Sequence, residues 1–172
     1  MSAKSLPSHT KILVVGAGPA GLATGLSLAK HGVSPQDIVV VDRLSRGNNT
    51  SRAIVIHSAT LQALDAVGCA DDLISRGLKC TRFQLQDRSA SGLISLDFSS
   101  LEPYTKFPFF LVLPQNITED VLEEHAKSLG VKIFHSCTVI GMKTLDSGDA
   151  LEISFESGET IRANLVVGAD GA

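Results

Sequence analysis

The chain contains 172 residues, of which 44% are hydrophobic, and this size and composition favour a single domain with one buried core. Its formal net charge of -3 comes from acidic and basic residues mixed along the sequence without a long run of one sign, so no nucleic-acid partner is expected. No apolar run in the sequence approaches the roughly 18 residues that a membrane-spanning helix needs, so no membrane span is expected.

The chain begins with the pattern of a strand, a tight turn and a helix. Lys11 to Val15 is a short β-branched run, and a glycine-rich segment from Gly16 to Gly21 follows it directly. The apolar residues of the next stretch recur at helical spacing, and Gly32 suits the left-handed position just past the last helical turn. Ile38 to Val41 then predicts a strand buried on both faces, as in a parallel sheet, and Asp42 ends it.

The regular alternation of strand and helix stops after Asp42. The sequence predicts a polar loop, a short strand, a helix capped by Ser58 and ended by Gly68, an antiparallel hairpin and one further strand. The loop is Leu44 to Ser51, and the first strand is Ala53 to Ile56. The two hairpin strands are Thr81 to Leu85 and Ile94 to Phe98, and the last strand is Phe107 to Leu113. We expect residues 80 to 113 or so to contribute strands to a partial second β-sheet.

The last third of the chain predicts one helix followed by strands. Asn116 is expected to be the N-cap residue of the helix, with Glu119 completing a variant of the capping box, and Gly130 ends it. Gly148 and Gly158 are expected in hairpin turns. The strands predicted after the helix are Val131 to Phe134, Val139 to Leu145, Leu151 to Phe155, Thr160 to Ala163 and Leu165 to Gly168. The fold class predicted is α/β, with a parallel sheet and an antiparallel β crossover.

The glycine-rich segment has the spacing of a dinucleotide-binding fingerprint. In that motif Gly16 allows the tight turn, Gly18 lets a pyrophosphate approach the backbone, and Gly21 lets the helix pack closely on the strand. Pro19 and Ala20 fall in the first helical turn, where free N–H groups and the positive end of the helix dipole favour phosphate. The position after a strand and before a helix supports this interpretation over a glycine turn without a ligand.

An acidic residue at the end of the second strand completes the fingerprint. Asp42 is placed to accept hydrogen bonds from adenosine ribose hydroxyls and would repel a 2'-phosphate, so FAD or NAD is favoured over NADP as the dinucleotide in this site. Arg43 beside it is either a phosphate ligand or a solvated surface arginine. The fingerprint does not separate FAD from NAD.

Four segments resemble the FAD-dependent aromatic-ring monooxygenases of the p-hydroxybenzoate and phenol hydroxylase group. Val14 to Gly32 is similar to the opening of that family, and Ser51-Arg52-Ala53, followed by Ile56-His57, is similar to a stretch whose arginine reaches the flavin. Pro114-Gln115 resembles a third stretch, in which a glutamine contacts the cofactor. Val167 to Gly171 resembles an Asp-Gly motif near the flavin and the incoming nicotinamide.

The resemblance adds Arg52, Gln115, Asp170 and Gly171 to the cofactor-binding residues. From the residues alone, Arg52 is equally a strand-edge surface charge. Gln115 is equally a residue at the start of a helix, and Asp170 is equally a turn former. His57 is interpreted as a packed strand residue, and His125 and His135 as a helix-surface and a strand-end residue. No catalytic residue is assigned.

The activity implied by the resemblance is hydroxylation of a small aromatic, phenolic or polyketide-type substrate with FAD as cofactor, NAD(P)H as co-substrate and O2 as oxidant. The family continues through a Gly-Asp motif, most of the substrate sheet and a closing helix, so the fold is expected to be incomplete at its C-terminus. One alternative is a non-catalytic FAD-binding remnant, or a fragment completed by a separate chain. Another is an NAD-dependent reductase.

The three cysteines lie far apart in the sequence, at Cys69, Cys80 and Cys137. Their spacing fits neither a Cys-x-x-Cys redox pair nor the paired ligands of a structural zinc site, so no metal is expected. We interpret them as reduced core thiols, which favours a cytoplasmic protein. The polar first ten residues, which include Pro7, lack the apolar stretch of a signal peptide.

Overall fold

The computed structural model describes residues 5–46, 54–88, 92–145, 148 and 150–171. These residues fall into two compact units: the first combines the N-terminal segment through residue 46 with the chain from Leu122 onward, and the second contains the residues between 54 and Val121. The single domain expected over residues 1–172 stays a prediction. Along the described residues the strands and helices are β1 (His9–Val15), α1 (Pro19–Lys30), β2 (Ile38–Val41), β3 (Val55–Ile56), α2 (Ser58–Ala66), α3 (Ala70–Arg76), β4 (Leu78–Cys80), β5 (Arg82–Gln86), β6 (Gly92–Asp97), β7 (Phe110–Val112), α4 (Gln115–Ser128), β8 (Lys132–Phe134), β9 (Val139–Thr144), β10 (Leu151–Phe155) and β11 (Thr160–Gly168).

A six-stranded sheet in the order β8-β2-β1-β11-β10-β9 forms the centre of the first unit. Strands β8, β2, β1 and β11 run parallel, whereas β9 and β10 pair antiparallel. This confirms the predicted α/β class, the parallel sheet and the antiparallel crossover. The carboxyl ends of β2, β1 and β11 therefore lie side by side at one edge of the sheet, which is where open α/β sheets bind ligands.

Strand β11 is continuous from Thr160 to Gly168, so the prediction of two strands in this segment was wrong. The first part of β11 pairs antiparallel with β10 between Thr160 and Ala163. Its pairing with β1 is parallel and reaches from Arg162 to Gly168. The change in sequence pattern therefore marks a change of neighbouring strands rather than a break in the backbone.

Both faces of β2 are buried along all four residues, as its apolar composition predicts. On one face Val39 and Val41 join a cluster of buried residues, which also contains Leu6, Leu13, Ile153, Phe155, Ile161 and Ala163. On the other face α1 packs closely, because a Cβ built on Gly25 would lie 3.0 Å from a methyl group of Val40. Successive side chains of β2 therefore point to opposite faces of the sheet. Val39 and Val41 pack in the apolar cluster, and Val40 packs against α1. The expectation of a core strand at Leu165 to Gly168 was wrong, because Leu165 is 51% exposed and none of these four residues is fully buried.

The described residues of the second unit form two small antiparallel sheets. Strands β3, β7 and β4 form one, and the hairpin β5-β6 forms the other. The hairpin is confirmed, but the expectation of one partial sheet that joins it to the strand before Leu113 was wrong, because β7 pairs with β3 and β4 instead. Phe98 leaves β6 and begins a short 3-10 helix.

Helix starts were the least accurate predictions. Helix α2 begins at Ser58, but His57 is its N-cap residue, and the Ser58 hydroxyl donates to the carbonyl of Phe109. Helix α4 begins at Gln115, and the carbonyl of Pro114 accepts from the N–H of Thr118, so Asn116 lies inside the helix and the proposed capping box does not form. Tertiary hydrogen bonds and the preceding proline override the local capping pattern.

Helix α3 was not predicted. Only Ala70 and Leu73 of its seven residues are buried, which is too few apolar positions to establish a helical period. None of the three cysteines, all of which lie in the described ranges, forms a disulfide; only Cys69 is buried, and Cys80 and Cys137 are partly exposed, so the interpretation as core thiols holds for one of the three. Within the described ranges, no helix combines the length and apolar character that a bilayer crossing requires.

Candidate functional site

The glycine loop joins β1 to α1 at the carboxyl edge of the sheet. The N–H of Gly16 donates to the carbonyl of Val41 at 2.8 Å, which ties the start of the loop to the end of β2. Gly16 has a φ of +110°, and a Cβ built on it would lie 2.1 Å from the carbonyl oxygen of Ala169. A Cβ on Gly21 would lie 1.8 Å from the carbonyl oxygen of Gly16. Side chains are therefore sterically excluded at these two positions, whether or not a ligand binds.

Gly18 differs from the other two glycines of the motif because its surroundings are open. A Cβ built on it meets nothing within 4 Å, and its φ of -72° is accessible to any residue. It is the N-cap residue of α1, Pro19 occupies the first turn, and Ala20 is exposed. Within the described part of the chain no side chain caps this helix, so its first-turn N–H groups have no side-chain acceptor. Room and backbone donors together fit a phosphate group.

Asp42 connects the glycine loop to the turn after β2. Its Oδ2 accepts from the N–H of Ala17 at 2.6 Å, and its Oδ1 accepts from the N–H of Leu44 at 2.7 Å. The two bonds fix the direction of the carboxylate. Each oxygen keeps a further lone pair, so the group can still accept from hydroxyls of a bound sugar. The neighbouring Arg43 is exposed.

The residues after β11 complete the edge. The N–H of Ala169 donates to the carbonyl of Val15 at 2.7 Å, which places the strand end directly beside the glycine loop. Asp170 and Gly171 follow and are exposed, and Gly171 has a φ of +83°. The predicted residues of the glycine loop, Asp42 and the Asp170-Gly171 pair are thus brought together on adjacent strands of one sheet.

Two more residues, Gln115 and Arg52, were predicted to bind the cofactor. Gln115 lies in the second unit, at the first position of α4, where its Nε2 donates to Oε1 of Glu119 at 2.8 Å. Arg52 lies outside the described residues. His57 is exposed, so its interpretation as a packed strand residue was wrong.

Sequence reasoning missed a buried carboxylate in the first unit. Glu123 of α4 has a side chain only 4% exposed, and it contacts Arg46, Lys127 and His135. Burial raises the pKa of its carboxyl group, but the hydrogen bond from Lys127 and the nearby charges of His135 and Lys127 outweigh this, so the pKa lies below the ordinary value. The only local signal was the spacing of four residues between Glu123 and Lys127. His135, interpreted as a strand-end residue, is a partner in this cluster.

Comparisons with known proteins agree with the geometry. A family model described as "FAD binding domain" matches residues 9–172. An uncharacterized aromatic compound monooxygenase from Bacillus subtilis is 34% identical, over 93% of this chain and 31% of its own length. The 6-hydroxy-3-succinoylpyridine 3-monooxygenase of Pseudomonas putida is 33% identical, over 94% of this chain and 41% of its own length.

A solved structure shows the same architecture. The crystal structure of p-nitrophenol 4-monooxygenase from Pseudomonas putida superposes with a TM-score of 0.85 at 32% identity, covering 96% of this chain and 42% of that one. The chain therefore spans less than half the length of these relatives.

Proposed function

Because this chain belongs to the family of FAD-binding domains, we propose that it is the FAD-binding part of a flavin-dependent monooxygenase that hydroxylates a small aromatic molecule. The observation that carries the proposal is the open space at Gly18, the N-cap residue of a helix that no described side chain caps, together with the carboxylate of Asp42 bonded to the same loop. This combination suits a ligand in which a pyrophosphate is attached to a ribose.

Different residues of the first unit bind different parts of the cofactor. Gly18 and the first turn of α1 bind the pyrophosphate, and Asp42 accepts from the adenosine ribose. Asp170 and Gly171 lie at the end of the neighbouring strand, and the family resemblance assigns them to the flavin side. Arg52 and Gln115 are proposed as cofactor residues on the resemblance alone, and Arg43, exposed beside Asp42, as an accessory phosphate ligand.

FAD held by these residues would supply the redox chemistry, which is reduction by NAD(P)H and reaction with O2 to oxygenate an electron-rich ring. The contribution of this chain is to bind and orient that group. Two relatives are named for rings that carry a hydroxyl group, 6-hydroxy-3-succinoylpyridine and p-nitrophenol. We therefore propose a phenol-type substrate, with larger polyketide-type phenols as the second class to test.

The proposal is tested in two steps on the purified, folded chain. The first step is a titration with FAD, followed by flavin fluorescence. The second is NAD(P)H oxidation with a panel of phenols, with ¹⁸O₂ to trace oxygen into the product. Flavin binding with labelled product supports the full proposal. Flavin binding without turnover supports the alternative of a non-catalytic FAD-binding chain, or one completed by a separate chain. Binding of NAD but not of FAD supports the reductase alternative.

A further inference from the structure

The carboxylate of Glu123 lies at the centre of a cluster of charges that the glycine motif does not explain. Its Oε2 accepts from Nε2 of His135 at 3.0 Å, and its Oε1 lies 3.5 Å from Nε of Arg46. Lys127, one turn further along α4, contacts the same Oε1. Three separate elements of the first unit, the helix α4, the turn after β2 and the end of β8, therefore converge on one buried group.

Two of these elements are also joined to each other through their backbones. The N–H of Asp42 donates to the backbone carbonyl of Phe134 at 2.9 Å, and the N–H of Cys137 donates to the backbone carbonyl of Asp42 at 2.7 Å. The N–H of Ser136 donates to Leu44 at 3.0 Å. Residues 42–46 and 134–137 thus form a paired segment, which we call the ribose turn because it carries Asp42.

Ser136 gives the ribose turn an unusual backbone. Its φ is 59°, the left-handed region that residues other than glycine, asparagine and aspartate seldom adopt. Such a conformation persists only where surrounding contacts hold it. His135, the residue before it, is bonded to Glu123, so one of those contacts comes from the buried carboxylate.

The exposure of the partners indicates what the cluster does. The side chain of Glu123 is 4% exposed, whereas those of Lys127 and Arg46 are 45% and 53% exposed. Removing water from a carboxylate is unfavourable, and ion pairs of this kind often add little net stability. A buried acid that holds exposed cations is better suited to fixing the position of the segments that carry them.

We propose that Glu123 is a positioning residue for cofactor binding, which anchors the ribose turn through Arg46 and His135 so that the carboxylate of Asp42 stays directed at the ribose. This inference rests on the proposed function, because it assigns Asp42 to the adenosine end of FAD. Glu123 acts through Asp42 and does not contact the cofactor itself.

The test is a double-mutant cycle of FAD affinity in this chain. Glu123→Gln keeps the size of the side chain and removes its charge, and we expect it to raise the Kd for FAD about five- to tenfold. In an Asp42→Ala background the same substitution should change the Kd less than about twofold, since the group that it positions is absent. An equal effect in both backgrounds, or no effect in either, overturns the proposal. An unsubstituted chain that is folded and binds no FAD overturns the proposed function and this inference with it.

A second readout needs no cofactor. The amides of Ala17 and Leu44 donate to the carboxylate of Asp42, so their hydrogen exchange reports its placement. We expect Glu123→Gln to accelerate exchange at both amides in the FAD-free chain. Unchanged exchange contradicts the positioning role.

One further variant controls for a general loss of stability, and another can replace Glu123→Gln in the cycle. Glu152→Gln breaks the ion pair with Lys143 on β9, and Glu152 lies on β10, three strands from β2 in the sheet, so FAD affinity should not change. Arg46→Ala provides the cycle if Glu123→Gln does not fold, because Arg46 is largely exposed. The effect of Arg46→Ala on the Kd for FAD should also disappear in the Asp42→Ala background. An effect that persists there indicates direct contact with phosphate and refutes action through Asp42.

Discussion

Replacing Gly18 by alanine separates the role of the glycine loop in binding from its role in folding. An added Cβ at this position meets no protein atom within 4 Å. The φ of -72° and ψ of -179° are open to alanine, so no backbone strain results. The new methyl group would instead occupy the space over the first turn of α1, where a phosphate is expected to lie.

The effect of this substitution on stability should be small because two terms oppose each other. Alanine is a poorer N-cap residue than glycine, but it also lowers the conformational entropy of the unfolded chain by about 0.4–1 kcal/mol. The free energy of unfolding should therefore change by less than about 1 kcal/mol. For a chain of this size that moves the Tm by less than about 4 °C.

The effect on FAD affinity should be much larger. If the methyl group keeps one backbone N–H from a phosphate oxygen, the loss is that of a hydrogen bond to a charged group, about 1.5–3 kcal/mol. This corresponds to an increase in Kd of about 10- to 150-fold. Fluorescence titration with FAD gives the Kd, and circular dichroism gives the Tm. Gly141→Ala is the matched control, because its Cβ also meets nothing within 4 Å and it lies on β9. A Gly18→Ala chain with unaltered FAD affinity would refute the assignment of the phosphate to this loop.

Three other substitutions follow from the same geometry. Gly21→Ala forces a Cβ to within 1.8 Å of a backbone oxygen, so it should lower the unfolding free energy by about 3 kcal/mol or more. A Tm within about 2 °C of the parent in thermal unfolding would contradict this. Asp42→Ala removes the carboxylate that fixes the loop and accepts from the ribose, so the FAD titration should show a Kd raised at least about tenfold, and an unchanged Kd would exclude Asp42 as a ligand. The lowered pKa of Glu123 means that its charge stabilises the fold above the unfolded pKa of about 4.3 and that this contribution disappears as pH falls through the folded pKa. Urea unfolding should therefore show a deficit for Glu123→Gln that is full at neutral pH and shrinks below about pH 4.3, whereas a deficit that stays constant into acid is inconsistent with the ion-pair cluster.

The parallel sheet and its ligand edge were predictable because the signals are local. The Gly16 to Gly21 segment must follow a strand and open a helix, and Ile38 to Val41 is apolar enough to be buried on both faces. Strand ends of a parallel sheet meet at one edge, so the sequence predicts that Asp42 and Asp170 lie near the loop. Local turn and strand chemistry therefore defines this region of the first unit.

Other features depend on contacts between residues far apart in the sequence. The bond from Ala17 to Asp42 and the convergence of Arg46, Glu123 and His135 arise only when the sheet has formed. The same holds for β11, whose uninterrupted course is set by its two neighbouring strands. The capping prediction at Asn116 failed for a related reason, since the carbonyl of Pro114 supplies the acceptor that a side chain was expected to provide.

Titration of the folded chain with FAD, followed by quenching of flavin fluorescence, tests the central claim most directly. We predict saturable binding of one FAD per chain, which ADP displaces because it carries the pyrophosphate and the adenosine ribose assigned to Gly18 and Asp42. A chain that shows native circular dichroism but leaves flavin fluorescence unchanged at every FAD concentration would contradict the account.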